Sequence, residues 1–234
     1  MKILAMDTSS NALSVAIVED KNLLAEETLN IKKNHSIELM PTIDYLMKQI
    51  NLKPNDLDRI VVAMGPGSYT GLRIAVTTAK TLAYTLGIEL VGVSSLQVLA
   101  ANAKNFDGLI IPLIDARRRN VYAGVYQWQK QRLISILSDR HIAFDKLVSY
   151  IAGKRCYFTG EVSNFSDEIK KIADVIIEPN LKLRLPSAYE LAIIGRNPPP
   201  VEVHQFVPDY LKRVEAEENW LMTHEEIDDW VEKI

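Results

Sequence analysis

Cysteine is almost missing from this chain. Cys156 is the single one, so no internal disulfide can form, which suits a reducing compartment. Nothing near it lowers a thiol pKa, and a buried structural thiol is expected. No run approaches the roughly 18 uncharged apolar residues of a membrane-spanning helix. The opening MKILAMDTSS has neither the long apolar stretch nor the small-residue cleavage site of a signal peptide. A soluble, cytoplasmic protein with no membrane partner is expected. A surplus of positive charge is absent too. The net charge is −3 and the pI near 5.9, so no basic field draws the whole surface to nucleic acid or anionic lipid. The four histidines, His35, His141, His204 and His224, are dispersed, and none has a His or Cys three or four residues away. His224-Glu225-Glu226 starts like H-E-x-x-H but reaches Asp228, and no G-x-S-x-G elbow occurs. Metal hydrolysis and acyl-enzyme chemistry therefore have no visible residues, and no metal is expected.

What is present is an ordinary globular composition. The 234 residues, 47% hydrophobic and 24% charged, can build one large domain or two small ones. Short apolar, β-leaning runs at Lys2–Met6, Leu13–Val18 and Leu23–Leu29 are parted by turn residues. Leu39, Ile43, Leu46 and Ile50 recur at helical spacing and predict a helix over His35–Ile50, with Pro41 in its first turn or at a kink. Arg59–Met64 reads as a buried strand, Leu72–Leu86 as a helix stopped by Gly87, and Ile88–Val93 as another strand. The pattern lapses at Asn102–Gly108 and resumes with strands at Leu109–Ile114 and Val121–Tyr126. The expected division is 1–104 and 105–234. Farther on, Ser187 and Glu190 resemble a capping box before a short helix ending at Gly195, and Thr223 with Glu226 forms a second before a helix whose face carries Ile227, Trp230, Val231 and Ile234. The overall class is α/β, with a sheet covered by helices.

Three places could carry function. Asp7, Thr8 and Ser9 lie in a hairpin turn, where short oxygen-bearing side chains either hold a phosphate or satisfy the turn backbone. Gly65, Gly67 and Gly71 punctuate a loop between strand and helix, which serves as an anion cradle or as a plain tight turn. It matches neither the P-loop nor the dinucleotide fingerprint. The third place is a surface. Beside the core stripe of the Leu72–Leu86 helix lie Ile74, Thr77, Thr78, Thr81 and Thr85, with only Arg73 and Lys80 charged. Such weakly polar outer sides suit helix–helix contact, and the adaptable Met40 and Met47 flank the stripe of the preceding helix. Packing within the chain is the other reading. The turn Arg117-Arg118-Arg119 could touch phosphate or be solvated or paired internally, and the acidic run Glu215–Glu218 is most simply a solvated face.

Taken together, MKILAMDTSSNALSVAIV, HSIELMPTIDYLM and MGPGSYTGLRIAVTTAKTLAYTLGIELVGVSSL closely resemble the TsaB (YeaZ) family, and LIDARRRNVYAGVY and VPDYLKRVEAEENW extend the likeness over nearly the whole chain. The resemblance implies the actin-like ATPase fold of sugar kinases and heat-shock chaperones, with two lobes of mixed sheet flanked by helices. It implies a non-catalytic scaffold for threonylcarbamoyladenosine formation beside the anticodon of tRNAs that read codons beginning with adenine. The implied partners are the catalytic relative TsaD, the ATPase TsaE, a second copy of the chain as a homodimer, and tRNA through the complex. Contact is expected through His35, Leu39, Met40, Ile43, Met47, Ile74, Thr77, Thr78, Thr81 and Thr85. Asp7, Thr8, Ser9, Gly65, Gly67 and Gly71 are left as vestiges of a nucleotide or phosphate site. Relatives of the TsaD type have metal-binding histidines where this chain has Ser94 to Leu99, and a Ser-Gly-Gly phosphate turn where it has Asp115-Ala116-Arg117-Arg118. A double glycine near the base is reduced to Gly160-Glu161. No cofactor is then required by the chain, and ATP or ADP enters only within the assembled complex. The alternative is a small-molecule kinase or ATPase of the same fold, which Asp7, Thr8 and the glycine loop favour and the arginine turn opposes. A metalloprotease has no zinc triad to support it.

Overall fold

A computed structural model describes residues 1–31, 34–104 and 106–212. The helix expected from Thr223 and the acidic run Glu215–Glu218 lie outside the described residues. Five strands, β1 (Lys2–Asp7), β2 (Leu13–Glu19), β3 (Asn22–Leu29), β4 (Arg59–Gly65) and β5 (Glu89–Ser94), form a first sheet in the order β3-β2-β1-β4-β5. The first three are antiparallel neighbours, whereas β4 and β5 run parallel to β1. The crossovers that parallel pairing demands are α1 (His35–Gln49) and α2 (Tyr69–Leu86). β1 and β4 are buried on both faces, which is why they read as unbroken apolar runs.

The second sheet repeats the design. It contains β6 (Leu109–Asp115), β7 (Asn120–Gln129), β8 (Arg132–Ala143), β9 (Cys156–Gly160) and β10 (Val175–Ile177) in the order β10-β9-β6-β7-β8. Its first three strands are again antiparallel and its last two parallel to the first. Each sheet, counted from its own first strand, is thus 3-2-1-4-5. This duplicated mixed sheet flanked by helices is the two-lobed actin-like α/β fold.

The lobes are not consecutive stretches of sequence, which corrects the division into 1–104 and 105–234. Helix α3 (Ser95–Ala101), capped by Ser94, packs Leu96, Leu99 and Ala100 against Ile110, Ile114 and Tyr126 of the second sheet. Past α4 (Phe144–Ile151) and α5 (Ser166–Ile169), helix α6 (Ala188–Gly195) returns to the first sheet. There Leu191 and Ala192 cover Ile3, Ala5 and Val61. Val201, Val203 and Phe206 pack on the opposite face with α1 and α2. Ser187 caps α6 as expected, its Oγ accepting from the Glu190 amide at 3.3 Å, but the Glu190 carboxylate pairs with Lys104 instead of closing the box. Pro41 lies neither in the first turn nor at a break. It sits in the middle of α1 on the exposed side, and the carbonyl of Ile37 is left without its helical N–H partner. Cys156 is buried, and burial pushes its thiol up to about 11, as befits a structural residue.

Candidate functional site

The two glycine- and hydroxyl-rich turns singled out in the sequence come together, but they face each other. Thr8 Oγ1 donates to the Gly71 carbonyl at 2.7 Å, and the Ser68 amide donates to the Ser9 carbonyl at 2.7 Å. The Gly71 amide is taken by Ser68 Oγ, the N-cap of α2. A side chain at Gly71 would put its Cβ 1.9 Å from the Thr8 carbonyl oxygen, and one at Gly67 would lie 2.3 Å from that of Ser9. The glycines are therefore required by close backbone packing, a different demand from the approach of a phosphate. Asp7 and Thr8 are wholly buried and Ser9 nearly so. Asp7 Oδ1 accepts from the Ser9 amide, Oδ2 has no hydrogen-bond partner, and burial holds the carboxyl above the usual carboxylate range. Gly65 packs against the Asp209 carbonyl. Of the residues expected as a vestigial phosphate contact, Asp7, Thr8, Ser9, Gly65, Gly67 and Gly71, the Thr8 hydroxyl and the Gly71 amide are engaged where α2 is braced against the β1–β2 turn, and the Ser9 amide is taken by Asp7.

Between the lobes lies a cleft of about 470 Å³, lined by Ser10 and Asn11 of that turn and by Asp115, Glu161, Asn164 and Arg184 among others. A triphosphate fits it poorly. The Asp115 amide, at the hairpin where a phosphate would need donors, already donates to Glu161 Oε2 at 2.9 Å. The Arg117 amide donates to Asp115 Oδ1 at 2.8 Å. The chain's own carboxylates occupy the anion position. Burial, with the neighbouring Asp115 charge adding to it, raises the Glu161 pKa. The turn itself holds Arg117, Arg118 and Arg119 in the left-handed region, at φ of 64°, 50° and 61°. Among the described residues no group of three His, Cys, Asp or Glu is placed to hold a metal ion.

The remaining feature is a face. α1 and α2 lie side by side over the first sheet. Leu39, Ile43 and Met47 point into the lobe's core at 1%, 5% and 6% exposure, and this removes them from the expected partner contact. His35 is half-buried and ties α1 to the β1–β2 turn through Nε2 and the Ser10 carbonyl at 2.9 Å. Met40, Thr77, Thr81 and Thr85 are exposed, while Ile74 and Thr78 are half-buried beside them. The structure adds three side chains that sequence reasoning missed, Ile37 at 67% exposure, Tyr45 at 54% and Tyr84 at 66%. A signal for them existed. Ile37, Met40, Pro41 and Tyr45 form a second apolar stripe at helical spacing on α1, and Arg73, Thr77, Thr81 and Tyr84 form the matching outer row on α2. These large apolar side chains leave exposed apolar surface on two adjoining helices.

Residues 22–220 match the family model described as TsaD, tRNA N6-adenosine threonylcarbamoyltransferase. The tRNA threonylcarbamoyladenosine biosynthesis protein TsaB of Bacillus subtilis (strain 168) is 40% identical over 227 residues, covering 94% of this chain and 98% of that protein. The protein of the same name from Escherichia coli (strain K12) is 33% identical over 129 residues, 54% of this chain and 55% of that one. Among solved structures, a Pseudomonas aeruginosa protein described as similar to peptidase YeaZ superposes with a TM-score of 0.78 at 26% identity, over 90% of this chain and 99% of that one. YeaZ from Pseudomonas aeruginosa gives 0.77 at 25% identity with the same coverage. The Bacillus subtilis relative and the two Pseudomonas aeruginosa structures match along nearly the full length of both partners, and the chain belongs to the TsaB (YeaZ) family, within the broader family that the TsaD description covers.

Proposed function

We propose that the chain serves tRNA threonylcarbamoyladenosine biosynthesis as a non-catalytic subunit, acting in the cytoplasm. In this reading it docks through the outer face of α1 and α2 onto the equivalent helices of the catalytic relative TsaD, and the ATPase TsaE works on the assembled pair. The same face joins two copies of the chain when the partner is absent.

The observation that carries the reading is the exposed apolar surface spread over two adjoining helices. At about 1.5 Å per residue, helices of 15 and 18 residues are about 22 and 27 Å long, enough for a two-helix contact of ordinary interface size. Burying each large side chain there, such as Ile37 or Tyr84, contributes on the order of 2 kcal/mol before the cost of association. Two further observations speak against chemistry at the cleft. The Ser68 and Gly71 amides of the glycine loop donate within the protein, and Asp115 and Glu161 stand where phosphate oxygens would need amides. The chain accordingly needs no cofactor of its own, and ATP or ADP enters with the partners.

Reconstitution tests this. Threonylcarbamoyl transfer to tRNA is measured with the catalytic relative and the ATPase, with and without this chain, and with a chain carrying Asp115→Asn and Glu161→Gln. Transfer is expected to require the chain and to proceed at an unchanged rate with the double variant. ATP turnover by the isolated chain that is lost on Glu161→Gln would overturn the non-catalytic reading.

A further inference from the structure

A second pocket, of about 320 Å³, opens where the N-terminal end of α2 meets the β6–β7 turn. Its walls include Tyr69, Tyr122, Tyr210, Arg117 and Lys212. The rings of Tyr69 and Tyr210 lie 4.8 Å apart, tilted by 31°, and the Arg73 guanidinium sits 4.8 Å over the Tyr69 ring. Both tyrosines present ring surface to solvent, at 41% and 37% exposure. Arg117 is exposed as well, and among the described residues its guanidinium forms no hydrogen bond or ion pair. Its neighbour in the turn is engaged differently, for Arg119 is held by Glu168 and Asp145. Three consecutive arginines in the left-handed region are an expensive way to build a turn that Gly or Asn would form freely, which points to a use for their side chains.

Open aromatic surface flanked by arginine and lysine suits a planar base with a phosphate beside it. We propose that this pocket binds one unstacked nucleotide of single-stranded RNA, with the base on Tyr210 and its phosphate on Arg117. The inference rests on the proposed role in tRNA modification and adds a direct RNA contact to it. A free nucleoside triphosphate suits the pocket less well. The Ser68 and Gly71 amides of the nearby loop already donate within the protein, and Asp209 adds a negative charge to the wall. Arg117 on the pocket wall meets a single phosphate of a strand better than it encloses three linked ones. With a net charge of −3 on the chain, the attraction is local.

The test is fluorescence anisotropy of the full chain with a labelled short single-stranded oligoribonucleotide, without TsaD, so that failure of partner docking leaves the result readable. Binding is expected to weaken with salt at a slope of about −0.7 for the one phosphate-contacting cation. Arg117→Glu and, separately, Tyr210→Ala are each expected to weaken it by about tenfold. Tyr210→Ala leaves the turn untouched and keeps the test sound if Arg117→Glu disturbs folding. Absence of RNA binding, binding that neither variant alters, or displacement by AMP at the same concentration as by RNA would each overturn the proposal. Transfer in the reconstituted assay that does not depend on the chain, with RNA binding intact, would instead count against the scaffold reading.

Discussion

Asp139 joins the two lobes at a single carboxylate. Its oxygens accept from Ser94 Oγ at the end of β5 and from the Tyr126 hydroxyl on β7. Burial raises its pKa above the usual carboxylate range, Asp209 adds to the effect, and the two hydroxyls oppose it. A carboxyl whose folded pKa exceeds its unfolded value of about 3.9 contributes stability that is full below that value and lost as pH rises through the folded pKa. Asp7 and Glu161, both raised by burial, lean the same way. Asp139→Asn keeps an acceptor oxygen without the charge. Its Tm should gain on that of the unsubstituted protein as pH climbs from about 4 toward neutrality, and parallel curves would contradict this assignment. Gly71 gives a second test. An alanine there meets the Thr8 carbonyl and should cost about 1–3 kcal/mol, lowering Tm by roughly 5 °C, whereas an unchanged melt would mean the turns can separate freely. The sequence shows that residues 65–71 form a loop. It does not show what the loop packs against, because Thr8 and Gly71 are 63 residues apart and only the parallel pairing of β1 with β4 brings them together.

At the level of elements, Arg59 shows how the chain's late segment is fastened to its early one. The guanidinium pairs with Glu89 on β5 through Nε and Nη2, and Nη1 lies 2.9, 2.7 and 3.1 Å from the carbonyls of Gly195, Arg196 and Pro198. It satisfies the C-terminal end of α6, whose last carbonyls have no partner within the helix. Because Arg59 is buried and Glu89 half-exposed, Arg59→Ala should cost about 3 kcal/mol in urea denaturation and Glu89→Ala considerably less. Equal losses would mean that the ion pair, not the helix cap, holds the segment. Elements with strong periodicity were legible. α1 and α2 follow their apolar spacing, although α2 begins at Tyr69, three residues before the expected Leu72, because Ser68 caps it and Gly71 is helical. β8 was missed for a local reason. Its hairpin turns on Lys130 and Gln131 at φ of 46° and 65°, and neither residue type signals a left-handed position. β9 and β10, of five and three residues, are too short to show a period.

For the molecule as a whole, the duplication was only hinted at by two strand–turn–strand openings, since the repeat lies in sheet order and not in residues. The outer face of α1 and α2 was partly legible. Threonines in place of charges marked α2, whereas Leu39, Ile43 and Met47 were assigned to the surface because an apolar residue at helical spacing does not reveal which side of the helix the sheet covers. Among the described residues no helix is long and apolar enough to cross a membrane, and the outer face of α1 and α2 carries exposed apolar side chains. The most direct measurement is calorimetric titration of this chain into the catalytic relative, comparing the unsubstituted protein with Ile37→Glu and Tyr84→Glu variants. Both positions are more than half exposed, so the variants should fold with nearly unchanged Tm. The account predicts that each weakens association by at least about tenfold, since a charge replaces an apolar contact that docking would bury. Association of both variants at unchanged affinity would contradict it.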